Sequence, residues 1–324
     1  MHQFRNILVV CDEHGVSAGL HERVRWLAQA NGAVVTFTEV VETGPGRVAR
    51  LLSPLPVARA EAVRQGIVEA HRERLNRLAE PLRATSATVR TAVDQGTAFL
   101  EIIRRVMRDG HDLVIKDAGG RGGWPFLRGT DMHLLRKCPC PVWILNAHGE
   151  PKARRILAAV DTLSEEAAHE GLNRAIMDLA TSLARQDGAA LDVVAVWCIP
   201  EEWALTHGRV RLPDEEVRAI LTAEEERSAA RLDGLVAEFQ PKAGPMVVHH
   251  LKGYASEVIV RHVEEREVDT IVMGTVGRVG VAGFFIGNTA ETILARVSCS
   301  VLAVKPEGFV SPVEPEPASG VATT

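Results

Sequence analysis

The sequence predicts two tandem α/β domains, each a parallel sheet covered by helices, and two observations predict it. The first is that the chain repeats itself. Gly96–Arg121 aligns without a gap on Gly253–Arg278, with identities at Gly96/Gly253, Ala98/Ala255, Ile102/Ile259, Arg104/Arg261, Val106/Val263, Asp112/Asp269, Gly120/Gly277 and Arg121/Arg278. The match continues upstream, where Ile7–Asp12 corresponds to Ile156–Asp161, and downstream, where Cys140-Pro-Val142 corresponds to Cys299-Ser-Val301. A period near ~150 residues is too long for a solenoid, so a whole domain has been duplicated. The second is that within each copy short apolar runs alternate with longer segments of helical period, the pattern of strands buried beneath helices.

Taken in order, the first copy predicts strands near 6–11, 33–41, 88–94, 111–116 and 140–145. The polar break at 147–152 is the expected linker, giving domains over 1–149 and 152–309. The second copy predicts strands near 155–160, 191–197, 246–251, 269–273 and 299–304, with helices between them. One near 165–186 follows Ser164-Glu-Glu, a cap with an acidic first turn. Another near 214–238 begins at Pro213-Asp214, and a third places Ala255, Val258, Ile259, His262 and Val263 on one face. The last opens at Asn288, with Glu291 three residues on as in a capping box. Residues 310–324, rich in Pro and Glu with little to bury, predict a disordered tail.

Composition narrows the function. At 324 residues, 46% hydrophobic and 24% charged, the chain can bury a sizeable core in each half. Its five cysteines have neither CxxC nor metal-finger spacing, which predicts a reduced, cytoplasmic setting without a disulfide framework. No apolar run reaches the ~20 residues that span a bilayer. A net charge of -5 offers no global attraction to nucleic acid.

The most informative segment lies between the strand at 269–273 and the final helix. Here Gly274-Thr-Val-Gly277-Arg278 leads through Gly280 and Gly283 to Gly287-Asn288-Thr289. Glycines between a strand and a helix start let bare backbone N–H groups approach an anion at the positive end of the helix. The spacing G-x2-G-x9-G-[S/T] resembles the nucleotide-binding signature of the universal stress proteins, with Asn288 in place of the final Ser or Thr. The resemblance covers nearly the whole chain except the tail and divergent inserts at about 42–85 and 200–243.

That resemblance implies a doubly wound, five-stranded parallel sheet of order 3-2-1-4-5 in each domain, with helices on both faces. It also implies an adenine-nucleotide site, for ATP or AMP with or without Mg2+, at the switch point between the first and fourth strands. Asp161, Val196 and Trp197 would contact adenine and ribose; Gly274, Gly277, Gly287, Asn288 and Thr289 would hold the phosphates, with Met273 and Arg278 also in the cofactor site. A stress-response regulator acting by nucleotide-dependent conformation or assembly follows, working on a protein partner as an intramolecular pseudo-dimer or a homodimer. A nucleotide-independent scaffold is the alternative.

The first copy reads as a worn version of this site. Asp117-Ala-Gly119-Gly120 replaces Gly274-Thr-Val-Gly277, the loop to Thr130 is shorter by two residues than that to Thr289, Arg128 stands near the place of Gly287, and Trp124 and Pro125 interrupt the glycines. A carboxylate facing the crevice would repel phosphate. Enzymatic signatures are missing: there is no GxxxxGK[ST], no GxGxxG opening a first helix, and no HIGH-like or SGGxDS-like motif, so at most slow ATP hydrolysis is expected. No metal site is expected either. His249 and His250 are adjacent on a strand and point to opposite faces, while Cys138 and Cys140 read as packing residues.

Overall fold

The computed structural model describes residues 4–13, 15–42, 54–85, 88–119, 127, 129–207, 212–241, 244–275 and 287–315. Its first half runs β1 (Asn6–Val10), α1 (Ala18–Asn31), β2 (Val34–Val41), α2 (Val57–Arg83), β3 (Val89–Gln95), α3 (Ala98–Asp109), β4 (Leu113–Asp117), α4 (Gly129–Lys137) and β5 (Val142–Leu145). The second runs β6 (Arg155–Val160), α5 (Ala167–Asp187), β7 (Ala190–Trp197), α6 (Glu202–His207), α7 (Asp214–Phe239), β8 (Met246–Lys252), α8 (Ala255–Glu265), β9 (Thr270–Gly274), α9 (Asn288–Arg296) and β10 (Ser300–Val304).

Each half has the order 3-2-1-4-5, and the halves join edge to edge into one ten-stranded sheet, β3-β2-β1-β4-β5-β10-β9-β6-β7-β8. All pairings are parallel except the central one, where Val301, Leu302 and Ala303 face Ile144, Trp143 and Val142 in antiparallel register. Strands at the centre, such as Val142–Leu145 and Ser300–Val304, are buried throughout. Both of their faces carry helices, so their apolar runs are continuous. The outer strands β3 and β8 are half exposed and carry charge or histidine, which discourages further edge pairing.

Alternate residues of each strand feed two cores. Ile7 and Val9 face α1, α2, α5 and α7, whereas Leu8 and Val10 face α3, α4, α8 and α9. Both cores pass without interruption from one half into the other. The repeated glycine pair has a steric cause: Gly96 and Gly253 adopt φ of 149° and 142°, and a Cβ there would meet Glu101 and Val258.

Buried polar groups also join the halves. Arg23 on α1 makes two hydrogen bonds, of 2.6 and 2.7 Å, to Asp187 on α5, which also accepts the Ala153 N–H at 2.7 Å. Lys305, just beyond β10, donates to the carbonyls of Leu135 (2.6 Å) and Arg136 (3.2 Å) at the C-terminal end of α4, and to Thr275 Oγ1. That helix end is where a cation is favoured. Burial lowers the Lys305 pKa from 10.5 to about 7. Between those values the unfolded chain holds a proton that the folded chain lacks, so this lysine makes stability rise with pH across that window. Relative to Lys305→Met, which titrates in neither state, the parent is expected to gain stability between about pH 7 and pH 9. Urea midpoints measure this, and a pH-independent difference would show that the folded chain keeps the ammonium charged.

Local departures from the sequence reading have identifiable causes. The cap of α5 falls at Glu166 rather than Ser164, whose hydroxyl accepts the Glu166 N–H at 3.3 Å. The short helix α6 was not anticipated inside the divergent insert. The tail, expected to be disordered from residue 310, packs as far as Val313, which is buried against the α3/α4 core, while 316–324 lie outside the described residues. Among the described residues no helix is long and apolar enough to cross a membrane.

Candidate functional site

A cavity of about 830 Å³ opens at the carboxyl ends of the second half's strands, between β6 and β9, where the strand order reverses. Asp161, Val196, Met273, Gly274, Gly287, Asn288 and Thr289 line it, together with Asn173, Cys198 and Gly253, which the sequence reading missed. Seven of the ten residues expected at a site therefore converge. Gly277 and Arg278, and with them Gly280 and Gly283, lie outside the described residues.

Asp161 ends β6 as an exposed residue, and Asn173 on α5 holds its backbone by two bonds: the Asp161 N–H donates to Asn173 Oδ1 at 3.0 Å, and Asn173 Nδ2 donates to the Asp161 carbonyl at 2.6 Å. The Asp161 carboxylate also accepts the Leu163 N–H at 2.9 Å, so the residue both shapes a turn and presents an acceptor to the cavity. Gly274 lets Leu172 of α5 pack close to the strand end, since a Cβ there would lie 2.7 Å from Leu172 Cδ2 unless that side chain shifted.

Trp197 is a correction. It is 3% exposed and is absent from the cavity wall; its ring stacks on His250 at 6.1 Å, with the Lys252 ammonium 5.3 Å from the ring centre. The period of two along β7 explains this. Val193 and Ala195 face the α5/α7 core and Val194 and Val196 the opposite one, so Trp197 falls on the α5/α7 side.

The capping box at Asn288 is a second correction. Gly287 occupies the cap position and no side chain caps α9. The Glu291 carboxylate instead pairs with Arg136 of the first half. Among the described residues the N–H groups of Asn288, Thr289 and Ala290 have no acceptor, since the first turn of any helix offers them no intrahelical one. Gly287 itself donates to the Thr275 carbonyl at 3.1 Å, closing the base of the glycine-rich segment. Thr275 Oγ1 reaches the Leu135 carbonyl at 3.0 Å, tying that base to α4 of the first half.

The matching crevice of the first half is occupied by its own side chains. Asp117, opposite Gly274 in the repeat, accepts hydrogen bonds from Ser17 N (2.6 Å) and Ser17 Oγ (2.7 Å) at the start of α1. Burial raises its pKa, and the bonds from Ser17 oppose that rise. At the start of α4, Asp131 is 1% exposed, pairs with Lys116 and accepts the Gly119 N–H at 2.9 Å. The second half has Ala290 and Met273 at those places. Sequence comparison of the copies could have found Asp131 and Lys116 through this exchange of two apolar residues for an ion pair. Gly120, Trp124, Pro125 and Arg128 lie outside the described residues.

The model of the universal stress protein family matches residues 3–146 and again 152–305. The chain belongs to the universal stress protein family. It is 28% identical to universal stress protein E of Escherichia coli strain K12 over 318 residues, covering 97% of this chain and 98% of that one. The universal stress protein E of Photorhabdus laumondii is 26% identical over 317 residues, covering 97% and 99%. Among solved structures, a functionally unknown protein of Pseudomonas aeruginosa PAO1 superposes with TM-score 0.69 at 24% identity, covering 94% of this chain and 93% of that one. A universal stress protein of Archaeoglobus fulgidus DSM 4304 does so with TM-score 0.61 at 16% identity, covering 94% and 99%. These likenesses carry the fold of a tandem universal stress protein, with two family units in one chain.

Proposed function

We propose that this tandem universal stress protein binds one adenine nucleotide, ATP or AMP, in the second-half cavity, and that occupancy sets a conformation or assembly read by a protein partner. The observation that carries the reading is the first turn of α9, whose leading N–H groups have no acceptor among the described residues, facing a cavity whose other wall holds Asp161. Phosphate would meet the N–H groups of Asn288, Thr289 and Ala290 and the positive end of the helix. Asp161 would accept from a ribose hydroxyl or the adenine amino group. A bound Mg2+ would be held by phosphate oxygens.

Binding is expected to be asymmetric. The first half meets its own need for negative charge with Asp117 and Asp131, so a phosphate there would have to displace two carboxylates. Each lost charge-assisted donor is worth about 1.5–3 kcal/mol, so losing two or three weakens affinity by orders of magnitude. Calorimetric titration of ATP or AMP into residues 1–149 and 152–310 separately is expected to show binding by the second alone. Equal affinity in both halves would overturn the asymmetry. The extraction of stoichiometric adenine nucleotide from purified full-length protein would distinguish this reading from a nucleotide-independent scaffold, which the self-filled first half favours.

A further inference from the structure

We infer that Asp192, His249 and His262 form a binding site for one divalent transition-metal ion of the zinc class. The three residues come from separate elements that the fold brings together. Asp192 lies near the start of β7, His249 on the neighbouring β8 and His262 on α8, which packs over β7 and brings the His262 ring against that of His249. The β7–β8 register pairs Val194 with His249, placing His249 on the Asp192 face, while His250 turns to the other face and meets Ser228 Oγ at 3.0 Å. The histidine that completes the site is thus not sequence-adjacent to His249.

Both imidazole Nε2 atoms approach the same oxygen, Asp192 Oδ2, at 3.9 Å from His249 and 3.6 Å from His262. The three ligand atoms lie within 4.8 Å of one another. Tetrahedral zinc with bonds of ~2.0–2.1 Å holds its ligand atoms about 3.3 Å apart, so a contraction of at most ~1.5 Å completes the coordination. Neither Nε2 has a hydrogen-bond partner among the described residues, and the His262 side chain is 9% exposed. Two histidines and a carboxylate suit zinc-like ions and leave a coordination position for water.

Two guanidiniums compete for the carboxylate. Arg155 Nη1 lies 3.2 and 3.3 Å from its two oxygens, and Arg266 Nε lies 3.3 Å from Oδ2. The Arg266 side chain is 40% exposed and can turn into solvent when the metal takes that oxygen. Removing it should therefore help the metal, the opposite of what a purely structural ion-pair cluster predicts.

The test is calorimetric titration of the full chain with ZnCl2, with Co2+ absorption as a reporter of coordination. One zinc per chain is expected, weakened at least ~10-fold by His249→Gln and by His262→Gln, and tightened several-fold by Arg266→Gln. Co2+ should show d–d bands without thiolate charge transfer, which separates this site from the five cysteines. If circular dichroism shows that His262→Gln misfolds, the partly exposed His249 and Arg266 variants decide. Absence of zinc binding by the parent, zinc affinity unchanged in both histidine variants, or a thiolate signature in the cobalt spectrum would each overturn the site.

Discussion

Gly287→Asp is expected to abolish nucleotide binding while leaving the fold at least as stable as the parent. Gly287 stands at the cap position of α9 with φ −61°, a conformation open to any residue, and it has no side chain to cap the helix. Aspartate is among the best residues for that position and would accept the first-turn N–H groups of α9. Those are the groups proposed to hold phosphate, and the new carboxylate adds repulsion at the same point. The first half already places a carboxylate near the matching helix start, where Asp131 accepts the Gly119 N–H and pairs with Lys116. Affinity for ATP or AMP should fall at least about 100-fold, equivalent to ~2.7 kcal/mol, with the melting temperature unchanged or raised. Calorimetry and thermal unfolding on one sample measure both, and parental affinity in the variant would remove α9 from the phosphate site. Gly277→Asp carries the same expectation from the sequence pattern.

The second large effect concerns the junction of the halves. Asp187→Ala should destabilise the chain by about 3–5 kcal/mol, because it leaves Arg23 charged and buried without its carboxylate. Arg23 is 4% exposed and the Asp187 side chain is buried, and the guanidinium also lies 5.0 Å from the ring centre of Trp143, in the strand that joins the sheets. Exposed pairs give a comparison. Arg25 and Glu22 are half exposed at 3.3 Å, and Glu22→Ala should change stability by less than ~1 kcal/mol. The double variant Arg23→Met/Asp187→Leu should recover much of the loss, since replacing both ions leaves no buried charge unpaired. Denaturant unfolding of the parent and the three variants checks this, and an Asp187→Ala cost no greater than that of Glu22→Ala would place the junction's stability elsewhere.

Edge-to-edge joining of the last strands could be expected from the sequence because Val142–Leu145 and Val301–Val304 are apolar on both faces and would end their sheets in the family's order. An apolar edge left bare invites another edge, and a duplicated chain carries its partner with it. The antiparallel register Leu302–Trp143 realises that expectation, with a pseudo-two-fold relation between the halves. The worn state of the first copy was equally legible at Asp117. Its cause was only half legible: aligning the copies marks Asp131 and Lys116 as charged residues in apolar places, but that they pair with each other is decided by the fold.

What the sequence by itself determined is whatever repeats along the chain: the duplication, ten strand positions, and the glycine-rich connection from β9 to α9. Periods of 2 and 3.6 and the composition of turns are local properties, written in neighbouring residues. What only the tertiary structure decided is where single side chains point and which distant ones they meet. Trp197 could have faced the cavity, but the parity of β7 turned it toward α5 and α7. Glu291 could have capped its own helix, but Arg136 of the other half reached it. His249 seemed paired with His250, yet its neighbours are Asp192 and His262, separated from it by 57 and 13 residues along the chain. The physical reason is common to all three. A side chain's direction follows from the backbone it sits on, but its partner is chosen by the packing of whole elements, which is driven by removing apolar surface from water.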